Sequence, residues 1–250
     1  MRRLQGRVHA RRPPLLLSFD DHRLCQPLSD CLRSLHTTKE TYAFAVFESA
    51  FKEFGLPWSI RTDNGVPFAS PNALFNLSKL SVWWLRLGIA IERIKPGHPQ
   101  QNGRHERMHL TLKLETTKPA AANFLQQQAK FDEFIDCYNN ERPHQALNMQ
   151  CPAQLYRPSP RQYQGLPDVD YQFHDKAVTV TTCGRICFNR RKINLSQVFA
   201  GQAVGVKQTD DRVWLVSFMD YDLGYFDDET CRLEPLPNPF GPKVLPMSPV

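Results

Sequence analysis

From Thr38 to Phe54 apolar side chains recur at three- and four-residue steps (Tyr42, Ala43, Val46, Phe47, Ala50, Phe51, Phe54), until Gly55 and Pro57 stop the pattern. That period predicts an amphipathic helix, and Gly followed by Pro is a helix-ending signal. Trp58 to Thr62 then reads as a short strand. Leu77 to Leu87 carries large apolar residues on several sides, which predicts a well-buried helix, and after Gly88 the run Ile89 to Ile94 reads as a second strand. Pro96, Gly97 and Pro99 predict a loop, followed by a helix from about Asn102 to Thr116. Past Pro119 a long helix extends to about Asn140, with Phe124, Gln128, Phe131, Ile135 and Tyr138 along one side. This order of elements predicts an α/β domain.

The pattern changes after Arg157-Pro158-Ser159-Pro160. Ala177 to Thr182, Arg185 to Phe188, Lys192 to Leu195, Ala203 to Gln208, Val213 to Phe218 and Leu223 to Phe226 are short β-rich runs separated by Gly, Asn or Asp. Such a series is too short for two full sheets and predicts a small β-barrel. The expected organisation is therefore a basic, poorly ordered arm over 1–20, a core over 21–157, a Pro-containing linker over 158–165, a barrel over 166–236 and a flexible tail over 237–250.

Composition changes this picture little. A chain of 250 residues that is 41% hydrophobic can bury a real core in one or two domains. Leu15-Leu16-Leu17 is too short for a signal-peptide core, and no window approaches a membrane span, so the chain is read as cytoplasmic. Seven Cys without a C-x-x-C pair fit reduced thiols in apolar surroundings.

Charge matters more by its distribution. The net charge is +6, but five Arg (Arg2, Arg3, Arg7, Arg11, Arg12) stand in the first twelve residues, leaving 26 minus 25, or +1, for the rest. Ser59 to Lys118 is different, with nine Lys or Arg against four acids and with His98, His105 and His109 in addition. A local excess of this kind is an electrostatic footprint for phosphates. Leu166 to Leu236 carries eight Lys or Arg against eleven acids, and its cluster Arg190-Arg191-Lys192 reads as a solvated hairpin.

Within the basic segment, Asp63 stands at the junction between the strand ending at Thr62 and the turn residues Asn64-Gly65. Turn former and metal ligand are both open for an Asp in that position. A hard divalent cation needs a second carboxylate from another element, and Glu106, in the first turn of the helix after Asn102-Gly103, is the candidate. Lys113, seven residues on, shares its helical face and could meet a DNA phosphate.

Four ordered motifs add specificity. Arg61-Thr62-Asp63-Asn64-Gly65 is followed by Leu80-Ser81-Val82-Trp83-Trp84, then by Arg93 to Arg107 (RIKPGHPQQNGRHER), then by Tyr138 to His144 (YNNERPH). Together they resemble the catalytic core of bacterial insertion-sequence transposases of the retroviral-integrase type, over about Leu24 to Tyr163. The resemblance implies an RNase H-like fold followed by a small all-β barrel. It also implies a DDE site, in which two Asp and one Glu bind Mg²⁺ or Mn²⁺ for DNA-end cleavage and strand transfer. Asp63 matches the second acid and Glu106 the third, with Arg104, Arg107 and Lys113 as DNA contacts. Implied partners are transposon-end and target DNA, a second copy, or a full-length transposase. Tyr138, Arg142, Pro143 and His144 match a motif that closes the core by packing, capping or catalysis.

The chain departs from the family pattern at its start. Arg23 to Leu28 resembles the family's second strand, which would place the first acid near Arg11 to Pro14, where none stands. Asp20 takes that place if Leu15 to Phe19 forms the first strand. The first strands are accordingly expected to be incomplete, the chain to be N-terminally shortened and strand transfer to be impaired. Two alternatives are a non-catalytic DNA-binding or transposase-pairing remnant and an RNase H-like nuclease that cleaves without joining.

Overall fold

The computed structural model describes residues 15–18, 29–33, 40–62, 64–98, 103–119 and 121–241. In chain order the elements begin β1 (Leu15–Ser18), β2 (Ser29–Arg33), α1 (Glu40–Phe54), β3 (Ser59–Thr62), α2 (Lys79–Arg86), β4 (Ala90–Arg93), α3 (Gly103–Thr116), α4 (Phe124–Asp136) and α5 (Pro152–Leu155). They continue with β5 (Lys176–Thr179), β6 (Arg185–Phe188), β7 (Arg191–Asn194), β8 (Ala203–Asp210), β9 (Val213–Phe218), β10 (Tyr221–Asp227) and β11 (Leu233–Pro235). The chain forms two compact units, one of Met1–Ser18, Gln26–Thr37 and Asn102–Tyr156, the other of Phe19–Cys25, Thr38–Gln101 and Arg157–Val250.

In the first unit, β1 and β2 pair antiparallel, Leu15 opposite Arg33 and Ser18 opposite Ser29. The four residues of β1 fall within the stretch expected as a basic arm and within Leu15 to Phe19, the alternative first strand. Arg23 to Leu28, expected as a strand, lies outside the described residues. The helices α3 and α4 meet through Met108 and Leu112 on one and Phe131 and Phe134 on the other. The long helix expected to reach Asn140 ends as α-helix at Asp136 and continues as a π-type turn over Cys137–Glu141.

In the second unit, Ala43, Phe47, Ala50 and Phe51 form the buried stripe of α1, as the period required. Gly55 ends the helix at φ +83°, where a Cβ would stand 2.9 Å from the Arg161 carbonyl oxygen. Ser78 caps α2 by accepting from the Ser81 N–H at 3.1 Å. Trp84, buried beneath, meets Phe47 edge-on with centroids 4.8 Å apart.

The expected linker is bonded to this unit. The Ser159 Oγ donates to the Leu56 carbonyl at 2.6 Å, and the Arg161 guanidinium donates to the carbonyls of Pro57, Leu87 and Gly88 at 2.8, 2.6 and 3.1 Å. The same guanidinium lies over the Trp58 ring, 4.7 Å from its centroid.

The C-terminal strands form an antiparallel sheet in the order β11-β10-β9-β8-β5, with β6 and β7 as a separate hairpin. Among the described strands no ladder closes this sheet into a barrel. Instead, Ile186, Phe188 and Ile193 on the inner side of the hairpin pack with Val204, Val206, Val216, Phe218 and Phe226 of the sheet. The same cluster takes in Phe75, Leu77, Val82 and Leu85 around α2, so the sheet does not own a separate core. Arg86 reinforces the connection, donating to the Gln202 Oε1 at 2.6 Å and to the Pro167 carbonyl. Of the expected tail, Phe240 is buried, and residues 242–250 lie outside the described residues.

Candidate active site

Strands β3 and β4 run parallel, with Ser59 opposite Ala90, Arg61 opposite Glu92 and Thr62 opposite Arg93. A parallel pair presents its carboxyl ends together, the place where ligands bind in α/β sheets. Asp63 follows the last residue of β3 and itself lies outside the described residues. Its two neighbours are tied to β4: Thr62 is buried in the ladder, and the Asn64 side-chain amide donates to the Ile94 carbonyl at 3.0 Å.

Two arginines of this frame are structural. Arg61 contacts one oxygen of Glu92 with both Nε (3.0 Å) and Nη2 (2.9 Å), so this carboxylate already has a buried cationic partner. Arg93 turns to the other side of the strand pair and is 3% exposed. Its guanidinium donates to the carbonyls of Phe75 (3.3 Å) and Asn76 (2.9 Å), and burial lowers its pKa from the ordinary arginine value. Sequence reading missed both roles, although an Arg within an apolar strand run is the available signal.

Glu106 is the fourth residue of α3; its side chain and that of Arg104 lie outside the described residues. Helical spacing places position 106 on a stripe with 110 and 113, roughly opposite the buried Met108, Leu112 and Thr116. Among the described residues of this helix, Lys113 is exposed, as is Arg107, and Leu110 and Leu114 are 59% and 53% exposed. An early helical position also places a carboxylate favourably in the helix dipole.

The segment Tyr138 to His144 is a packing device. The Tyr138 ring lies 5.5 Å from Phe134 and meets His144 edge-on at 4.5 Å, while the His144 Nε2 stands 3.3 Å from the Tyr138 carbonyl oxygen. Arg142 reaches Glu115 of α3 at 2.8 Å. Burial raises the Tyr138 phenol pKa, and Arg142 and Arg107 pull against that shift.

Among the described residues no group of three His, Cys, Asp or Glu could hold a metal ion. Glu92 is already engaged by Arg61, and the two acids singled out by the sequence, Asp63 and the Glu106 side chain, lie outside the described residues. Two carboxylates suit a hard, oxygen-seeking cation such as Mg²⁺ or Mn²⁺ and not a soft one.

A further charge feature is hidden in the averaged composition of the C-terminal region. Lys176 to Gln208 contains Lys176, Arg185, Arg190, Arg191, Lys192 and Lys207 and no acid, whereas Thr209 to Leu236 contains eight acids against Arg212 and Arg232. On the β6–β7 hairpin, Ile186, Phe188 and Ile193 point inward and Arg185, Arg190, Arg191 and Lys192 are exposed. Its tight turn holds Asn189 and Arg190 at φ 46° and 64°.

Residues 87–152 match a family model described as an integrase core domain. Over this stretch the chain is similar to an integrase core domain. The matched stretch includes Arg104, Glu106, Arg107 and Lys113, together with the Tyr138 to His144 motif, and begins after Asp63. The integrase core is a mixed fold of helices and sheets, and integrase cores generally use divalent metals. The chain is also similar to a chain in the cryo-EM structure of the simian T-cell lymphotropic virus intasome in complex with PP2A regulatory subunit B56 gamma. That likeness has 17% identity and a TM-score of 0.38 and covers 77% of this chain and 66% of the other. Among the described residues, no helix is long and apolar enough to cross a membrane.

Proposed function

We propose that this protein acts in DNA integration or transposition by metal-dependent polynucleotidyl transfer. The observation that carries the reading is the integrase-core match over residues 87–152, a stretch that contains Glu106 and the exposed Lys113. In this reading Asp63 and Glu106 hold Mg²⁺ or Mn²⁺, and Arg104, Arg107 and Lys113 take the DNA phosphates. When bound, the metal would stabilise charge on the attacking and leaving oxygens of the phosphoryl transfer. The chain's own part is to orient two carboxylates, neutralise the phosphates and keep the strand pair rigid. The C-terminal sheet and hairpin are read as the counterpart of the small barrel that follows such cores. Transposon-end and target DNA, with a second copy or a full-length transposase, are the proposed partners.

A complete site needs a third carboxylate, and Arg11 to Pro14 supplies none. Strand transfer is therefore proposed to be impaired, with Asp20, two residues after β1, as the candidate substitute acid. The test is Mn²⁺-dependent joining of labelled terminal-repeat DNA by the purified chain. Weak joining, lost in Glu106→Gln and in Asp63→Asn, supports the reading, and loss in Asp20→Asn identifies the third acid. Joining that is unchanged in Glu106→Gln overturns the assignment of the site, and robust joining overturns the impairment alone.

The cation-only stretch from Lys176 to Gln208 favours a second reading, a non-catalytic protein that binds DNA or pairs with an active transposase. Salt-sensitive DNA binding that needs no metal and survives Asp63→Asn, with no joining under any condition, would select it. Cleavage without joining in the same assay would select an RNase H-like nuclease.

A further inference from the structure

We infer that the segment Pro237–Gly241 is a latch that holds the end of β4 in place, acting through a turn that Arg93 also grips. The turn is at Phe75 and Asn76, both in the left-handed region at φ 55°. Asn tolerates that region, but for Phe75 the conformation is unfavourable locally and persists only where its surroundings hold it. Two sets of contacts do so from opposite sides.

From the strand side, the Arg93 Nη1 donates to the Phe75 carbonyl and its Nη2 to that of Asn76. Among the described residues this buried guanidinium has no acidic partner, and its Nε is buried without a hydrogen bond. A buried cation in that state depends heavily on the few acceptors it has. From the chain's far end, the Asn238 side-chain amide donates to the same Phe75 carbonyl at 3.4 Å. Phe240 is 5% exposed, and its ring stands 6.1 Å from Phe75 and 4.6 Å from Tyr221. Asn238 also fixes the approach of Phe240, because its Oδ1 accepts from the Phe240 N–H at 2.9 Å.

The two grips share one carbonyl, so they are physically coupled. Losing Phe240 unseats Phe75, and Arg93 then loses its acceptors. Arg93 stands opposite Thr62 in the ladder, and the next carbonyl, that of Ile94, receives Asn64. The effect thus reaches both neighbours of Asp63 from Asn238, 163 positions beyond Phe75 in the chain. The inference is conformational and holds whether or not Asp63 binds a metal.

Hydrogen exchange on the full chain tests it. In Phe240→Ala, backbone amides between Ile89 and Ile94 and in Ile60–Thr62 should exchange about tenfold faster or more, because local opening governs their protection. Asn238→Ala and the milder Phe240→Leu should do the same to a smaller degree, which keeps the test usable if Phe240→Ala does not fold. Phe173→Ala, at a side chain 84% exposed, should leave those amides unchanged. The latch is overturned if β10 amides speed up in the Phe240 and Asn238 variants while those of β3 and β4 keep their protection.

Discussion

Arg61 and Glu92 face each other across the parallel pair β3–β4, guanidinium to one carboxylate oxygen at 2.9 and 3.0 Å, with both side chains less than a tenth exposed. Arg61 belongs to a motif that reads as chemistry in the sequence, yet its role is to neutralise a buried carboxylate one strand away.

Breaking this pair from one side strands a buried charge. Glu92→Ala or Arg61→Ala should each destabilise the protein by about 3–5 kcal/mol, whereas Arg61→Met combined with Glu92→Leu should recover most of the loss. Urea unfolding of the two single variants and the double variant checks this, with the coupling read as a double-mutant cycle.

Arg161 should matter more than its place in a Pro-rich connector suggests. Arg161→Ala removes donors to three backbone carbonyls and the stack on Trp58, and an expected loss of about 2–4 kcal/mol follows. Arg161→Lys should recover little, since an ammonium cannot reproduce the planar fork. The same unfolding titration measures both, and cleavage near Pro158 under limited proteolysis should rise in parallel.

Tyr171 predicts a pH dependence. Its hydroxyl donates to the Ala203 carbonyl at 2.7 Å, and burial raises its pKa above the ordinary tyrosine value of 10.0. The folded state thus favours the neutral phenol. Its contribution is fully present below about pH 10 and is lost as pH rises through the higher folded value. Thermal melts from pH 8 to pH 11 should show this loss of stability, and the part due to this residue should vanish in Tyr171→Phe.

DNA affinity should respond to cations on two separate elements. Lys113→Ala should reduce the slope of log affinity against log salt by about one, and Arg190→Glu with Lys192→Glu by about two. Fluorescence anisotropy across a salt series gives the slopes. Equal slopes in all variants would remove both surfaces from the DNA interface.

Periodicity and punctuation alone determined most elements. The strands at Arg185–Phe188 and Val213–Phe218 fall where the β-rich runs stand, and α1 ends at the Gly-Pro signal after Phe54. The order of motifs likewise pointed to the integrase core domain that residues 87–152 match, because that stretch holds its signature locally. Partnership was not legible. Arg61 and Glu92 are 31 positions apart, Arg161 and Pro57 104, and Asn238 and Phe75 163. Nothing in local pattern encodes which distant backbone carbonyl a buried guanidinium will meet. That depends on strand register and on which side chains already fill the core, and it made a connector part of the fold and a tail residue part of its packing. Sequence therefore determined the elements and the candidate acids, and tertiary packing decided which charged residues are structural.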